Sequence, residues 1–288
     1  MKTILISTDF SANSAHAAEY GYDLARQMKA GVVLCNAVTV PAEIPQAGLV
    51  AWPMEEYDVL MGSSTEGLKQ LQRALEKSGN EQEFKPQITL ANEAGTLADV
   101  INGVAAKQEI ALVVMGTHAN TGLSGFILGN HSHDMIEWLN KPLLLVPSVV
   151  PFGPVKKIAF ATDFTRPAED MEAIFALIPF AKALNAEILL THVYDEKDTS
   201  LVFQKEIRPF LTELSNKADY AKIYYRIIKN NKTEAGLDWL CLHGQIDMLV
   251  MLHRPHGFLN NLFNGSHTQK MAGHISVPLL VYPEKTLI

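Results

Sequence analysis

The chain has few cysteines, no block of basic residues and no long apolar run, and each absence excludes a class of protein. Cys35 and Cys241 are the only cysteines in 288 residues, and both lie inside apolar segments, which predicts buried thiols rather than a disulfide. The formal net charge of −7 argues against sequence-independent binding to nucleic acid, which needs clustered Lys and Arg. The apolar run at 142–147 is far too short to span a bilayer. We therefore expect a cytoplasmic protein that binds neither nucleic acid nor a membrane.

The composition is that of a globular chain with a substantial core. Apolar residues make up 48% of the sequence and charged residues 19%. The N-terminus is a short apolar run that meets Asp9, which favours a β-strand over a signal peptide. The length allows either one large domain or two domains of ordinary size.

Four segments of the first half return in the second half, and they return in the same order. The matched segments are 4–11 with 158–165, 32–38 with 188–194, 112–115 with 248–251, and 141–147 with 277–283. Preserved order predicts a duplicated module. Residues 148–154 contain Pro and Gly and read as the linker. We therefore predict one module at 1–148 and a second at 155–288.

Each half alternates apolar strands with amphipathic helices. In the first half, strand 31–38 follows a helix near 14–29, and Thr96-Leu97-Ala98-Asp99 predicts a capping box that opens another helix. Alternating strands and helices of this length predict a mostly parallel sheet covered by helices on both faces. The predicted fold class is α/β, with two tandem three-layer α/β/α modules.

A glycine-bearing loop at 115–132 is the main candidate for a site. It follows the buried strand predicted at 110–114 and precedes a helical face, and such loops bind phosphate in α/β proteins. Ligands of open parallel sheets bind beyond the carboxyl ends of the strands, so Asp9 and Gly116 are expected to face one crevice. An Asp that follows a strand can equally cap the next helix, a role that Ser11 or Asn13 could share.

Three motifs carry a resemblance to a known family. Thr-Asp-Phe-Ser at 8–11, Met-Gly-Thr-His at 115–118 and Lys-Pro-Leu-Leu-Leu-Val-Pro at 141–147 resemble the universal stress protein family, and the likeness returns in the second half as in tandem members. The resemblance implies a stress-response role and, in each module, an open five-stranded sheet of order 3-2-1-4-5. It also implies that members with Gly-x2-Gly-x9-Gly-[Ser/Thr] after the fourth strand bind ATP or a related adenine nucleotide, whereas members without that loop do not.

The first half keeps part of this nucleotide motif. Gly116 and Gly129 are retained, whereas Ala119 adds a methyl group where phosphate would approach and Asn130 replaces the hydroxyl residue. The resemblance places an adenine against Asp9 and the backbone around Val38, and a ribose against Gly116. The candidate nucleotide-binding residues are Thr8, Asp9, Val38, Gly116, Thr117, Ala119, Gly129, Asn130, His131 and Ser132.

The second half keeps less of the motif. Leu252 fills the strand end where bare backbone is needed, and Pro255 lacks a donor N–H. Asp163 and the pair Gly265-Ser266 are the candidate residues that remain. We predict that this half does not bind ATP in the usual way and that it has a scaffold or dimer-forming role.

Two further features have more than one interpretation. Seven of the ten histidines cluster near the two loops, but no Cys and no second spaced pair accompanies His131-x-His133, so no metal site is predicted. The segment 39–57 reads as an irregular connection packed on its own module, or as an apolar flap over a site or a contact with the other half. No arrangement of nucleophile, base or paired carboxylates requires a catalytic assignment.

The leading hypothesis is a nucleotide-responsive binding or signalling protein that holds ATP or another adenine nucleotide, with Mg²⁺ as a candidate companion, in its first half. We do not expect an efficient enzyme; slow ATP hydrolysis is the most that the sequence allows. The alternative is an interaction or scaffold protein of the same fold that binds no nucleotide. In that case the final strands, 143–147 and 278–282, would be edge strands that pair between modules or chains. A homodimer, an intramolecular pseudo-dimer and an unknown protein partner all remain open.

Overall fold

The structure is a computed structural model, and it describes residues 2–39, 54–78, 84–119, 126–127, 135–194, 207–254 and 276–283. The chain forms two compact units, Met1–Gly116 and Thr117–Ile288. The first unit thus ends within the fourth strand of the first half. The module limits 1–148 and 155–288 stay a prediction from the sequence.

The first unit is a four-stranded parallel sheet with helices in the crossovers between strands. Its sheet order is β3-β2-β1-β4. This order confirms the first four places of the expected 3-2-1-4-5. The elements are β1 (Thr3–Ser7), α1 (Ala12–Met28), β2 (Gly31–Val38), α2 (Met54–Lys77), β3 (Ile88–Ala94), α3 (Leu97–Lys107) and β4 (Ile110–Ala119).

Local signals in the sequence located these elements well. Strand β2 occupies the predicted residues, and the predicted capping box opens α3. The Thr96 hydroxyl accepts from the backbone N–H of Asp99 at 3.3 Å and lies 2.6 Å from the Asp99 carboxylate, to which it donates. Such a box satisfies N–H groups that a helix start would otherwise leave without partners.

The second unit contains the whole second half together with the end of the first. Its sheet order is β6-β11-β10-β7-β8-β9. Read from β9 to β11, the last five strands have the order 3-2-1-4-5 in full, which confirms the expected topology. The elements are β5 (Phe126–Ile127), β6 (Leu143–Pro147), β7 (Lys157–Ala161), α4 (Pro167–Leu184), β8 (Glu187–Tyr194), α5 (Arg208–Lys217), β9 (Ile223–Lys229), α6 (Thr233–His243), β10 (Met248–His253) and β11 (Leu279–Pro283).

The strands that end the two sequence repeats pair with each other. Strand β6 runs antiparallel to β11, with Leu145 opposite Leu279 and Leu143 opposite Val281. Every residue of both strands is buried. A strand buried on both faces reads as a continuous apolar run, which is how both sequences read. The sequence left open whether these strands pair between modules or between chains; β6 and β11 pair with each other within this chain.

One prediction about the glycine loop was wrong. The strand predicted at 110–114 continues as β4 to Ala119, so the first residues of the predicted loop belong to the strand. The strand continues because the backbone at His118 and Ala119 pairs antiparallel with Ile127 and Phe126. Most of the remainder of the predicted loop, at 120–125 and 128–132, lies outside the described residues, as does most of the segment 39–57.

Both cysteines are free and buried, as predicted. Loss of solvent around each thiol raises the pKa of Cys35 and of Cys241 to about 12. Because the thiolate is the reactive form, both side chains are unreactive at neutral pH.

Leu280 tests how much the paired final strands stabilise the fold. Its side chain is 0% exposed, opposite Leu144. We expect Leu280→Ala to lower the free energy of unfolding by about 2–5 kcal/mol, because the vacated volume is enclosed on all sides. Chemical denaturation followed by circular dichroism measures the change. Val149→Ala is the control, since Val149 is 65% exposed and its loss should change stability by no more than about 0.5 kcal/mol. Equal effects of the two substitutions would contradict the assigned burial.

Candidate functional site

A tight turn at the carboxyl end of β1 presents Asp9. The backbone N–H of Phe10 donates to the Thr8 hydroxyl at 3.0 Å, and the N–H of Ser11 donates to Asp9 Oδ1 at 3.0 Å. Phe10 lies in the left-handed region, with φ at 64°. A bulky residue adopts that conformation at a cost of about 1–3 kcal/mol, so the surrounding hydrogen bonds hold it there. The turn leaves the Asp9 side chain exposed beyond the strand end.

The same turn recurs at the carboxyl end of β7. Phe164 has φ at 57°, and its N–H donates to the Thr162 hydroxyl at 2.9 Å. The N–H of Thr165 donates to Asp163 Oδ1 at 3.0 Å. The repeated Thr-Asp-Phe motif therefore specifies a backbone conformation as well as a carboxylate. The motif is visible in the sequence, but the positive φ of its phenylalanine is not.

Ser11, and not Asp9, caps helix α1. The Ser11 hydroxyl accepts from the N–H of Ser14 at 3.3 Å. Partial burial by itself raises the pKa of the Asp9 carboxyl, but hydrogen bonds from Ser11 and Ser14 outweigh it, so the pKa of Asp9 lies below its usual value. Asp9 is therefore an exposed carboxylate at neutral pH that is not required to cap the helix. Asp9 was a candidate both for contacting a ligand and for capping the helix. Ser11 takes the capping role.

A buried polar network supports the Asp9 turn from below. The Asn36 side-chain amide donates to the Thr8 carbonyl at 2.7 Å. The Ser64 hydroxyl of α2 lies 2.7 Å from Asn36 Oδ1 and 2.8 Å from Asn92 Oδ1. These bonds tie β1, β2, β3 and α2 together at the carboxyl end of the sheet. Sequence reasoning missed all three residues; the only signal was a single Asn inside the apolar strand 31–38.

Other candidate residues of the first unit have structural partners already. The Thr8 hydroxyl lies 3.0 Å from Ser14 Oγ, and the Val38 carbonyl accepts from the N–H of Gly95 at 3.1 Å. Gly116 allows helix α1 to approach β4, because a Cβ there would lie 2.6 Å from the Asn13 carbonyl oxygen. The absence of a side chain at Gly116 is thus explained by packing within the unit.

The remaining candidates fall at or beyond the end of β4. Thr117, in the second unit, is 1% exposed, and its hydroxyl has no hydrogen-bond partner among the described residues. Ala119 pairs with Phe126 through its backbone. The other candidate residues lie outside the described parts of the chain, namely Gly129, Asn130, His131, Ser132, Gly265 and Ser266.

The second unit holds an arginine that sequence reasoning missed. Arg254 follows β10 directly, and each of its three side-chain nitrogens donates to a carboxylate: Nε to Glu169 at 3.1 Å, Nη1 to Asp163 at 3.5 Å and Nη2 to Asp170 at 2.6 Å. Asp170 is 1% exposed. Burial raises the pKa of its carboxyl, although bonds from Thr162 and Arg254 counter part of that rise. The available signal was a charged residue just beyond a buried strand, with three acidic residues after Thr162.

This arginine borders a cavity of about 380 Å³ at the carboxyl ends of β7, β8 and β10. Leu252 is among its lining residues, where the sequence repeat aligns it with Gly116. The prediction that Leu252 occupies the strand end therefore agrees with the structure.

The described residues give three further observations. No cluster of three or more potential metal-ligating side chains occurs among them. His253 is the one described member of the seven clustered histidines whose side-chain contacts are defined, and its Nε2 lies 3.5 Å from Glu137 Oε1. No helix in the described parts of the chain combines the length and apolarity needed to cross a membrane.

With the fold and this geometry in place, comparison with known proteins identifies the class. A sequence model of the Universal stress protein family matches residues 1–147 and again residues 154–283. The chain therefore belongs to the universal stress protein family, and the duplicated match makes it a tandem member.

Individual relatives agree with this assignment. Universal stress protein MJ0531 of Methanocaldococcus jannaschii is 28% identical over 145 residues, which cover 50% of this chain and 81% of that protein. Universal stress protein YxiE of Bacillus subtilis is 28% identical over 148 residues, covering 50% of this chain and 97% of that protein. A universal stress protein from Archaeoglobus fulgidus has a similar fold, with a TM-score of 0.71, 17% identity and 98% of both chains covered.

Gly116→Ala tests the close contact between α1 and β4. The new methyl group would lie 2.6 Å from the Asn13 carbonyl oxygen, so the helix start must move. We expect a loss of about 1–3 kcal/mol in unfolding free energy, measured by chemical denaturation. Gly62→Ala is the matched control, because nothing lies within 4 Å of its added Cβ. In a helix that exchange should stabilise by about 0.5–1 kcal/mol. We expect Gly116→Ala to lower the free energy of unfolding and Gly62→Ala to raise it. A rise in both variants would contradict the contact.

The hydrogen bond from the Ser11 side chain predicts a measurable pKa change. Ser11→Ala removes a group that lowers the pKa of Asp9, so the midpoint of the Asp9 titration should rise. A carboxyl with a lowered folded pKa stabilises the fold above pH 3.8, and that contribution is lost as the pH falls through the folded pKa. NMR detection of the Asp9 carboxyl carbon across acidic pH gives both midpoints. An unchanged midpoint would show that Ser11 does not influence this carboxylate.

Proposed function

We propose that this protein is a nucleotide-responsive binding or signalling member of its family, and that the module at 1–148 binds an adenine nucleotide. The observation that carries the proposal is the turn at the end of β1, which holds Asp9 as an exposed, ionised carboxylate beyond the strand end. In open α/β sheets, ligands bind beyond the carboxyl ends of strands at the point where strand order reverses. Strand β1 stands at that point, between β2 and β4.

The chemistry of Asp9 suits the adenine or sugar part of a nucleotide and not its phosphates. A carboxylate accepts hydrogen bonds from an amino group or a hydroxyl group, but it repels a phosphate of the same charge. The proposed arrangement places the base between Asp9 and the backbone around Val38, and the sugar near Gly116. Phosphates would then meet Gly129, Asn130, His131 and Ser132, and Mg²⁺ would accompany a triphosphate.

The module at 155–288 has a structural role in this proposal. Its equivalent of Asp9, Asp163, contacts Arg254, and Leu252 stands where the first half has a glycine. All three side-chain nitrogens of Arg254 donate to carboxylates, so a phosphate would have to compete with these ion pairs for the guanidinium.

Thermal stability in the presence of nucleotide tests the proposal. ATP or AMP at about 100 times its dissociation constant should add roughly 2.7 kcal/mol and raise the melting temperature. Asp9→Asn should abolish most of that shift, because an amide replaces the carboxylate that accepts from the base. Asp163→Asn is the matched control in the other half and should retain the shift. No shift with millimolar ATP or AMP, with or without magnesium, would refute nucleotide binding.

The second candidate function is an interaction or scaffold protein that binds no nucleotide. The observation in its favour is the fully buried antiparallel pair of β6 and β11, which joins the ends of the two sequence repeats. The small molecules released when freshly purified protein is denatured separate the two candidates. Adenine nucleotide near one per chain supports the first, and none supports the second.

A further inference from the structure

One corner of the second unit concentrates exposed apolar side chains. Ten large apolar side chains are exposed among the described residues, and four of them lie on β9 and α6. They are Tyr224, Tyr225, Trp239 and Leu242, and each is between 45% and 56% exposed. Single exposed apolar residues are common on protein surfaces, whereas a contiguous group marks an interaction site.

Two ring contacts join most of this corner into one surface. The Arg226 guanidinium carbon lies 5.8 Å from the centre of the Trp239 ring, and the His243 ring stacks on Trp239 with the centroids 5.5 Å apart. Arg226 therefore lies on the α6 side of the sheet, and Tyr224, two residues earlier in the same strand, shares that face. Leu242 follows Trp239 by three residues, so it is a neighbour on the helix. These five residues form what we call the β9–α6 patch.

The duplicated half shows that the fold does not require the large side chains of the patch. Strand register places Thr89 and Ala91 of β3 at the positions of the patch tyrosine and arginine. Helices α3 and α6 both span 11 residues, and their alignment puts Gly103 and Ala106 at the positions of the patch tryptophan and leucine. Small residues are sufficient for folding at these positions, which favours a binding role for the large exposed side chains of the second unit.

The surface around the patch is positively charged. Residues 221–232 contain four basic residues and no acidic one, in a chain whose net charge is −7. Among the described residues, no carboxylate lies within ion-pair distance of the Arg226 guanidinium. Stacking on Trp239 uses one face of the guanidinium and leaves its five N–H donors, which lie in its plane, open to a carboxylate.

A groove of about 360 Å³ gives these donors a recess beside the patch. The groove lies at the amino ends of β7 and β8, and Tyr224, Arg226 and His243 belong to its lining. Lys157 and Glu187, which are neighbours in register on β7 and β8, line it as well. Two cationic side chains and one carboxylate therefore line the groove, and this balance favours a ligand with negative charge.

Size and charge together select the kind of occupant. A symmetric pair of copies of this chain does not fit, because like charges would face each other across the contact. A small anion would pair with Arg226 but would leave the ring of Trp239 and the side chain of Leu242 exposed. A peptide segment with an acidic residue and apolar neighbours covers both parts of the surface. Trp, Tyr and Arg are also the residues that contribute most to binding in protein interfaces.

We propose that the β9–α6 patch binds an acidic peptide segment of another protein. A carboxylate of the segment accepts paired N–H bonds from Arg226, and an apolar side chain next to it packs on Trp239 and Leu242. The patch and its groove share no residue with the nucleotide site proposed for the first half, and peptide binding does not depend on that site.

Fluorescence anisotropy with labelled peptides tests this assignment on the full chain. The probes are short peptides in which glutamate alternates with leucine, valine or phenylalanine, and the control peptides replace every glutamate with glutamine. At least one glutamate peptide should saturate at about one per chain. It should bind at least about tenfold more tightly than its glutamine counterpart, because the amide has no charge to pair with Arg226.

Three variants separate a specific site from general attraction to positive charge. Arg226→Gln should weaken binding at least about tenfold and Trp239→Ala at least about fivefold, since both side chains are exposed parts of the patch. Lys232→Ala is the matched control, because it removes an equal charge from the same basic segment beyond the end of β9. It should change binding by less than about twofold. Circular dichroism should show the same folded spectrum for all three variants.

Several results would overturn the inference. One is the lack of saturable binding by every glutamate peptide, and another is equal binding by the glutamine peptides. Equal losses from Arg226→Gln and Lys232→Ala would also overturn it, because they would show attraction to net charge alone. Nucleotide binding is measured separately, by the thermal shift with ATP or AMP, so failure of one proposal leaves the other intact.

Discussion

The turn that leaves the first strand of each half is the constraint on which both crevices depend. Two phenylalanines, Phe10 and Phe164, adopt a left-handed backbone, and the preceding Thr and Asp side chains accept the N–H groups that this turn exposes. The turn carries the chain from the strand into the following helix over four residues in the first half, 8–11, and over five in the second, 162–166. The turn also brings a carboxylate to the carboxyl edge of the sheet, where ligands of this fold class bind.

The same turn has different surroundings in the two halves, and these decide its chemistry. In the first half, Ser11 and Ser14 stabilise the Asp9 carboxylate with neutral hydrogen bonds, so its charge stays available. In the second half, Arg254 forms ion pairs with Asp163 and two more carboxylates. The equivalent motifs therefore present a carboxylate held by neutral hydrogen bonds in the first half and a carboxylate paired with an arginine in the second.

Much of the fold followed from local sequence signals. The repeated apolar runs gave the strands, and the capping box at Thr96 and the buried run 143–147 were placed correctly. Strand order came from the family resemblance, because spacing along the chain does not say which strands are neighbours. The end of β4 was missed because its pairing with 126–127 is a tertiary contact, without which Gly116 reads as the start of a loop.

The site was harder to predict for the same physical reason. Asp9 and Gly116 could be named from their motifs, since a carboxylate and a glycine carry their chemistry in the residue type. Asn36, Ser64 and Arg254 could not, because their roles come from partners 28 to 91 residues away in sequence. A polar residue inside an apolar strand shows that a partner must exist. It does not show which one.

The difference between the crevices can be traced to the end of a single strand. Gly116 has no side chain, so the first turn of α1 lies directly over it, with the Asn13 carbonyl where a Cβ would be. Leu252 occupies the aligned position in β10, and a leucine there prevents so close an approach. Helix α4 correspondingly begins with Pro167, which aligns with Asn13, so it starts one residue later than α1 does. Leu252 lines the cavity together with Asp170 of α4. The lining is set by whichever side chains reach that space, and Arg254 is one of them.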